Sequence, residues 1–340
     1  MKIFKGYQHG INLGGWFSQC DHTKERYDTF IHEEDFKRIS SWGLDHVRVP
    51  VDYELILDKD NRFIEEGFER LERCMDLARK YSLHMILDLH KTVGFSFDDG
   101  EGEEGFFENN ALQELFYGLW EAFAKRFGKR EGLAFELLNE VDDPAVAEKW
   151  NEIALKAIER IRAYASEITI LVGGYGHNSP MAVKDLLLPP DEHIVYNCHC
   201  YSPLIFTHQG AYWIDGMDLD FRCLFPLSGR EYDRLTKIHI RNHFTDPYPD
   251  TDVPIGKDYF RNIFKEAVEV SEERNVPLYC GEYGTIDRAD PEDTLRWLEC
   301  ITSVLNEYGI GRALWSYKEM DFGLIDEYYD LIREDMIRKI

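Results

Sequence analysis

Hydrophobic positions along the chain fall into two kinds of segment that alternate. Short apolar runs recur at Gly10–Trp16, Asp45–Val51, His84–His90, Leu133–Glu140, Ile168–Gly173, His193–Tyr201, Val276–Tyr283 and Gly311–Tyr317. Runs of this length, bounded by turn residues, suit strands buried on both faces. Between them lie longer amphipathic stretches at Glu33–Trp42, Glu65–Tyr81, Leu112–Phe127, Val146–Ala165, Met181–Leu187, Tyr259–Arg274, Pro291–Tyr308 and Tyr328–Ile340. In the second stretch Leu71, Met75, Leu77 and Ala78 form one apolar stripe, with Glu72, Arg73 and Lys80 away from it, the spacing of a surface helix. Pro291 suits a first helical turn, with Glu292 and Asp293 beside it. Repeated β-then-α units predict an α/β fold with a parallel sheet, and eight of them usually close as a (β/α)8 TIM barrel. An open doubly wound sheet is the competitor. Gly10-Ile11-Asn12-Leu13-Gly14-Gly15 lacks the spacing of a dinucleotide-binding turn.

One stretch breaks the rhythm. About 55 residues, 202–256, separate strand six from its helix. They hold Phe206, Tyr212, Trp213, Phe221, Phe225, Phe244 and Tyr248, together with His208, His239 and His243. So long a connection is functional or carries structure of its own. The expected organisation is a single catalytic domain, 1–340, with an inserted subdomain at 202–256 on the C-terminal face of the barrel.

Charge narrows the partner. The 340 residues carry 39 basic and 64 acidic side chains, a formal charge of −25. That disfavours nucleic acid and anionic membranes, whose binders carry basic patches, and points to a neutral partner. Aromatic residues make up 14% of the chain, and a surplus on strand ends would suit flat, apolar-faced ligands such as sugars. The seven cysteines are odd in number and contain no CxxC pair, so buried free thiols are expected rather than a disulfide scaffold. No signal-like segment or window of 18 apolar residues occurs in the sequence. Both a cytoplasmic site and secretion with the signal absent stay open. A monomer is expected, with no cofactor and no metal.

In barrels of this kind chemistry sits at the C-terminal strand ends. Reading those ends yields Arg48, Asp88, His90, Asn139, Glu140, His199, Tyr201, Glu282, Tyr283, Trp315 and Lys318. Glu140 and Glu282 stand out, because glycosidic cleavage requires paired carboxyls: one protonates the leaving oxygen, the other attacks the anomeric carbon or activates water.

With these residues in place, the chain resembles glycoside hydrolase family 5, the cellulase-type retaining glycosidases. The matching pieces are Gly10–Trp16, His46–Pro50, Leu87–His90, Glu136–Glu140, Val195–Tyr201, Tyr279–Gly284 and Ala313–Trp315. Phe206-Thr207-His208-Gln209 resembles a compact endoglucanase subgroup with a subdomain after strand six. The resemblance implies that Glu140 is the acid/base and Glu282 the nucleophile. Asn139 would hold the sugar 2-hydroxyl, and Arg48 would keep Glu282 ionised. Tyr201 would donate to Glu282, and His199 would orient Glu140. His90 would bind the sugar on the non-reducing side of the cleaved bond, above a floor made by Trp315. His208, Trp213 and Lys318 are further candidates for substrate contact. The implied reaction is internal cleavage of β-1,4-glucan or mixed-linkage β-1,3-1,4-glucan with retention. A β-mannanase or exo-β-glucosidase on the same scaffold is the alternative.

Several residues depart from the pattern or carry a second reading. Lys91 replaces a second histidine common in relatives and should face the other side of its strand. Cys198 and Cys200 flank His199, and strand alternation sends them outward, away from any shared ion. Glu136 shares the parity of Leu138 and Glu140, and a buried Glu there needs partners. Trp213 is either a sugar platform or packing for the insertion. At least one of Trp16 and Phe17 should be core. The acidic run Asp98–Glu104 reads as a solvated loop, with an ion site as the weaker option. A metal-dependent hydrolase using His90, His199 and Glu282 is one rival, although strand one lacks the usual His-x-His. A glucan-binding barrel without catalysis is the other.

Overall fold

The computed structural model describes residues 1–97, 104–241 and 246–340. His243, Phe244 and most of the acidic run (Asp98–Glu103) lie outside them. Eight parallel strands close in chain order into one barrel: β1 (His9–Asn12), β2 (His46–Asp52), β3 (His84–Lys91), β4 (Leu133–Glu136), β5 (Thr169–Gly173), β6 (Ile194–His199), β7 (Leu278–Tyr283) and β8 (Gly311–Leu314). The helices are α1 (Lys24–Thr29), α2 (Glu33–Ser41), α3 (Glu65–Lys80), α4 (Asn110–Phe127), α5 (Ala147–Arg162), α6 (Tyr175–Asn178), α7 (Leu204–Thr207), α8 (Gly229–His239), α9 (Lys257–Arg274), α10 (Pro291–Tyr308) and α11 (Arg333–Lys339).

Local chemistry explains the long helices. In α3 the residues Phe68, Leu71, Met75 and Ala78 are buried, the first turn is acidic and the last is basic, which suits the helix dipole. α10 starts with Pro291, is capped by the Asp290 carboxylate on the Glu292 and Asp293 amides, and ends at Gly309 with φ 69°, a left-handed position that favours glycine.

Alternate strand residues feed two cores. Val47, Val49, Leu87, Phe135, Ile170 and Cys198 join a large apolar cluster with the helices. Ile86, Ala134, Leu171, Val195, Tyr279 and Ala313 join Phe4 and Tyr7 in a smaller cluster that fills the barrel floor. No described helix is long and apolar enough to cross a membrane.

Three expected boundaries shift. Met181–Leu187 is a 3-10 turn at Pro180–Asp185, in a segment too short for an α-helix of its own. Tyr328–Ile340 divides into a 3-10 turn at Glu327–Tyr329 and α11. β4 stops at Glu136, and residues 137–140 continue without strand pairing, pinned by Leu137 N–H to the Leu171 carbonyl and Asn139 N–H to the Leu89 carbonyl. The 202–256 segment contributes α7 and α8. It is joined to the loop after β7 and to α10 through Ile286 N–H on the Thr207 carbonyl, Phe225 N–H on the Asp293 carboxylate and Trp297 Nε1–H on the Ser202 carbonyl.

Candidate active site

The site is built around a buried cation. Arg48, on the inward face of β2, is fully buried, and desolvation alone would lower its pKa; Asp88, Glu136 and Glu282 outweigh that and hold it above its ordinary value. Its Nε and Nη2 donate to Glu136 at 2.7 and 2.8 Å, and its Nη1 donates to Glu282 Oε1 at 2.7 Å. Asp88 Oδ2 pairs with Nη2 at 3.0 Å. Asn12 and Asn139 oxygens accept from the same guanidinium at 2.9 and 2.8 Å. Glu136 takes a third donor, Asn197 Nδ2, at 2.8 Å. Glu136 is therefore the paired structural carboxylate its position called for: a buried charge needs this many partners.

Above this layer stand the two carboxylates. Glu282 also accepts from the Tyr201 hydroxyl at 2.8 Å. Glu140 Oε1 pairs with His199 Nδ1 at 2.6 Å. One ligand atom from each of Glu140, His199 and Glu282 lies within 4.8 Å of the others. Such spacing also suits a cation, but Arg48, Tyr201 and two imidazoles already occupy these carboxylates. His90, part of the rival metal set, instead directs Nδ1 to Asp88 Oδ2 at 2.6 Å. Its ring lies parallel to that of Trp315, with centroids 5.8 Å apart. Trp315 is buried against Ala211, Ile286 and Phe322, and a Cβ on Gly14 would stand 2.8 Å from its ring. The close approach of the segment after β1 to this aromatic thus requires the glycine.

Glu282 reaches the site through a register shift. Cys198 pairs with Cys280, yet His199 pairs with Glu282, and a second irregularity lies between Cys280 and Tyr283 against β8. Strict alternation would aim Glu282 with Cys280 toward the helices. The bulge re-aims it inward, and Tyr283 returns to the outer core.

Several outlying candidates have other surroundings. Lys318 donates to the Phe30 carbonyl at 3.2 Å and lies over the Phe30 ring, so its ammonium ties the loop after β8 to the end of α1 rather than entering the carboxylate pair. His208 is buried behind Tyr201, with ring centroids 5.0 Å apart, and burial lowers its pKa to about 4. Trp213 is 40% exposed and edge-on to His208 and Tyr212, outside the large core. Lys91 is buried and pairs with Glu54 at 2.8 Å. Trp16 and Phe17 are both core residues, stacked at 4.0 Å. Cys198 and Cys200 are buried free thiols in the outer cluster.

One site residue escaped the sequence reading. His177, in the turn after β5, places Nδ1 3.1 Å from Glu140 Oε2. Burial raises the pKa of Glu140, but the hydrogen bonds with His177 and His199 outweigh it and hold the carboxyl well below its usual range. The signal was present in Gly173-Gly174-Tyr175-Gly176-His177-Asn178, a glycine-rich strand end; Gly176, His177 and Asn178 all have positive φ. The apolar run of strand five ends at Gly173, where no ionisable residue stands.

A cavity of about 510 Å³ lined by Met75, Arg79, Met85, Arg126, Lys129 and Leu133 opens at the other ends of β3 and β4, away from this chemistry.

Comparisons with known proteins converge on one family. The family profile Cellulase (glycosyl hydrolase family 5) matches residues 7–321. Cellodextrinase A of Ruminococcus flavefaciens is 44% identical over 309 residues, 91% of this chain and 84% of that protein. Endoglucanase C of Acetivibrio thermocellus is 37% identical over 336 residues, 97% of each. Among solved structures, a hyperthermophilic endo-β-1,4-glucanase in complex with substrate superposes with a TM-score of 0.78 at 23% identity, covering 98% of both chains. Cel5A of Thermotoga maritima with mannotriose gives 0.76 at 23% identity, covering 98% of this chain and 97% of that one. At this identity the two structures show a shared fold.

Proposed function

The chain belongs to glycosyl hydrolase family 5, and from that premise we propose that it cleaves internal β-1,4 linkages of β-glucan, cellulosic or mixed-linkage, with retention of configuration. The glycosidase activity follows from the family; the linkage, the stereochemistry and the residue roles are our reading. One observation carries it: oxygens of Glu140 and Glu282 approach within 4.8 Å. Carboxyls about 5–5.5 Å apart suit direct attack, whereas an inverting pair stands about 6.5–9.5 Å apart to admit a water.

In this reading Glu282 attacks the anomeric carbon. Arg48 Nη1 and the Tyr201 hydroxyl hold one oxygen each, which keeps the nucleophile charged and oriented. Glu140 protonates the leaving oxygen and then deprotonates the incoming water. Asn139 spends its oxygen on Arg48, so its amide N–H groups serve the sugar 2-hydroxyl. His90, held by Asp88, binds the same sugar over Trp315, and Trp213 offers a platform beside His208. All these groups come from one chain, so the catalytic unit needs no second copy. The 202–256 segment serves as an insertion in a single catalytic domain and supplies Trp213 and His208.

The relatives' names differ in substrate length, cellodextrin against endoglucan, so the test is a substrate panel with product analysis. We expect cleavage of barley glucan, carboxymethylcellulose and cellopentaose above mannan and xylan, with a β-configured first product by NMR. An α-configured first product would overturn retention. Preferential cleavage of mannan would move the chain to the mannanase alternative. For Glu282→Gln, kcat should fall by at least about 10⁴-fold with the fold intact, as for other lost nucleophiles.

A further inference from the structure

Glu140 is gripped by two imidazoles with opposite access to water. His199 is buried, its side chain 1% exposed, and its Nδ1 meets Glu140 Oε1 at 2.6 Å. Its Nε2 faces the amide nitrogens of Asn178 and Asn197 at 3.4 and 3.5 Å. Those amides are oriented by other bonds: Asn178 Nδ2 donates to the Asn139 carbonyl, Asn197 Nδ2 to Glu136, and Asn197 Oδ1 accepts from Gly281 N–H. Both groups facing Nε2 are amide donors, an arrangement that suits Nε2 as acceptor and an Nδ1–H directed at Oε1. His177 meets the other oxygen, Oε2, at 3.1 Å, with 47% of its side chain exposed.

From this geometry we infer that His177 is a positioning residue for the acid/base step, holding Glu140 by Oε2 and sharing with it the proton that the leaving oxygen receives. The inference rests on Glu140 being the acid/base. In the first step the bond from C1 to the leaving oxygen breaks, a bond from C1 to Glu282 forms, and the proton passes from Glu140 to the leaving oxygen. His177 N–H then donates to the new carboxylate. In the second step water oxygen bonds to C1, the bond to Glu282 breaks, and the water proton restores Glu140. His199 is buried, whereas nearly half of the His177 side chain is open to solvent.

Among described residues the charged or titratable groups around this pair are His199, Glu282 and Tyr201 across the site and His208 beside it. Burial keeps His208 neutral at neutral pH. Two coupled groups holding one proton release it at a higher pH than the carboxyl would alone. His177 therefore extends the basic limb of activity upward.

His177 has φ 55°, so the test variants are ones that accept a left-handed backbone: His177→Gly, which deletes the imidazole, and His177→Asn, which keeps an N–H donor that cannot titrate. With cellopentaose, His177→Gly should lower kcat/KM about tenfold, part of the 10²–10⁴ a positioned acid contributes. Its basic limb should move down by about one pH unit. Dinitrophenyl β-cellobioside needs no protonation of its leaving group, so its kcat/KM should stay within about twofold. His177→Asn should recover the rate at the optimum while keeping the shifted limb. An unmoved limb in His177→Gly, or an equal loss on both substrates, would overturn the inference. If Glu140→Gln lost activity equally on both substrates, the acid/base assignment itself would fall instead.

Discussion

The two faces of β2 carry His46, Arg48 and Pro50 on one side and Val47, Val49 and Val51 on the other, all seven residues from His46 to Asp52 being buried. The valine face joins an apolar layer against the helices, where any hydrocarbon of suitable volume gains about the same free energy on leaving water. The Arg48 face meets three carboxylates and two asparagines, each at hydrogen-bond distance. There, volume is secondary: removing one charge leaves others buried without a partner. Equal burial thus hides two regimes, one tolerant of exchange and one not, back to back on a single strand.

The largest break in this comparison should come from Arg48→Met, which nearly preserves length while deleting the charge. It should cost about 3–5 kcal/mol in denaturant unfolding, because Glu136 and Glu282 lose their donor, and should reduce kcat/KM to near background. A loss below about 1 kcal/mol would show that the inner layer is as tolerant as the outer one.

On the other side of the wall, Ile158 of α5 is 2% exposed in the apolar layer. Ile158→Val should cost about 0.5–1.5 kcal/mol, and kcat/KM should stay within about twofold of the wild type. A kinetic defect out of proportion to the stability loss would show that the two layers communicate.

The smallest effect is expected at the rim. His22 Nε2 lies 3.3 Å from Asp52, and its Nδ1 meets Tyr27 and Cys20. Burial alone would lower its pKa, but hydrogen bonds to Asp52 and Cys20 raise it to about 10. A folded-state value above the unfolded one stabilises the fold when the group is protonated. The contribution is complete below the unfolded value of about 6.5 and is lost as pH rises toward about 10. The melting-temperature gap between wild type and His22→Gln should therefore be widest near pH 6 and close toward pH 10. A gap that widens with pH would contradict this charge state.

The eight strands were readable because each needs a short apolar run and a turn on either side. Asn139 and Glu140 were readable because they follow such a run at its C-terminal end. Glu136 announced its need for partners by parity, yet its partners come from β2 and β6, which no local pattern names. Lys318 looked like part of the mouth because it follows Trp315, but the chain turns, and its ammonium goes to Phe30. His177 lies beyond the last apolar residue of strand five, outside any strand pattern, and a left-handed turn carries it back over the mouth.

The amino-acid sequence by itself determined the barrel and the placing of Glu140 and Glu282 at strand ends, since these depend on periodicity and on short motifs that act locally. Tertiary structure decided which way the carboxylates face and what state they hold. Glu282 has the parity of an outward residue and points inward only because of the shift between β6 and β7. Glu140 receives its two imidazoles from β6 and from the turn after β5. Orientation at a strand end and the field around a buried charge are set by neighbours distant in the chain, and those distances exist only once the barrel has closed.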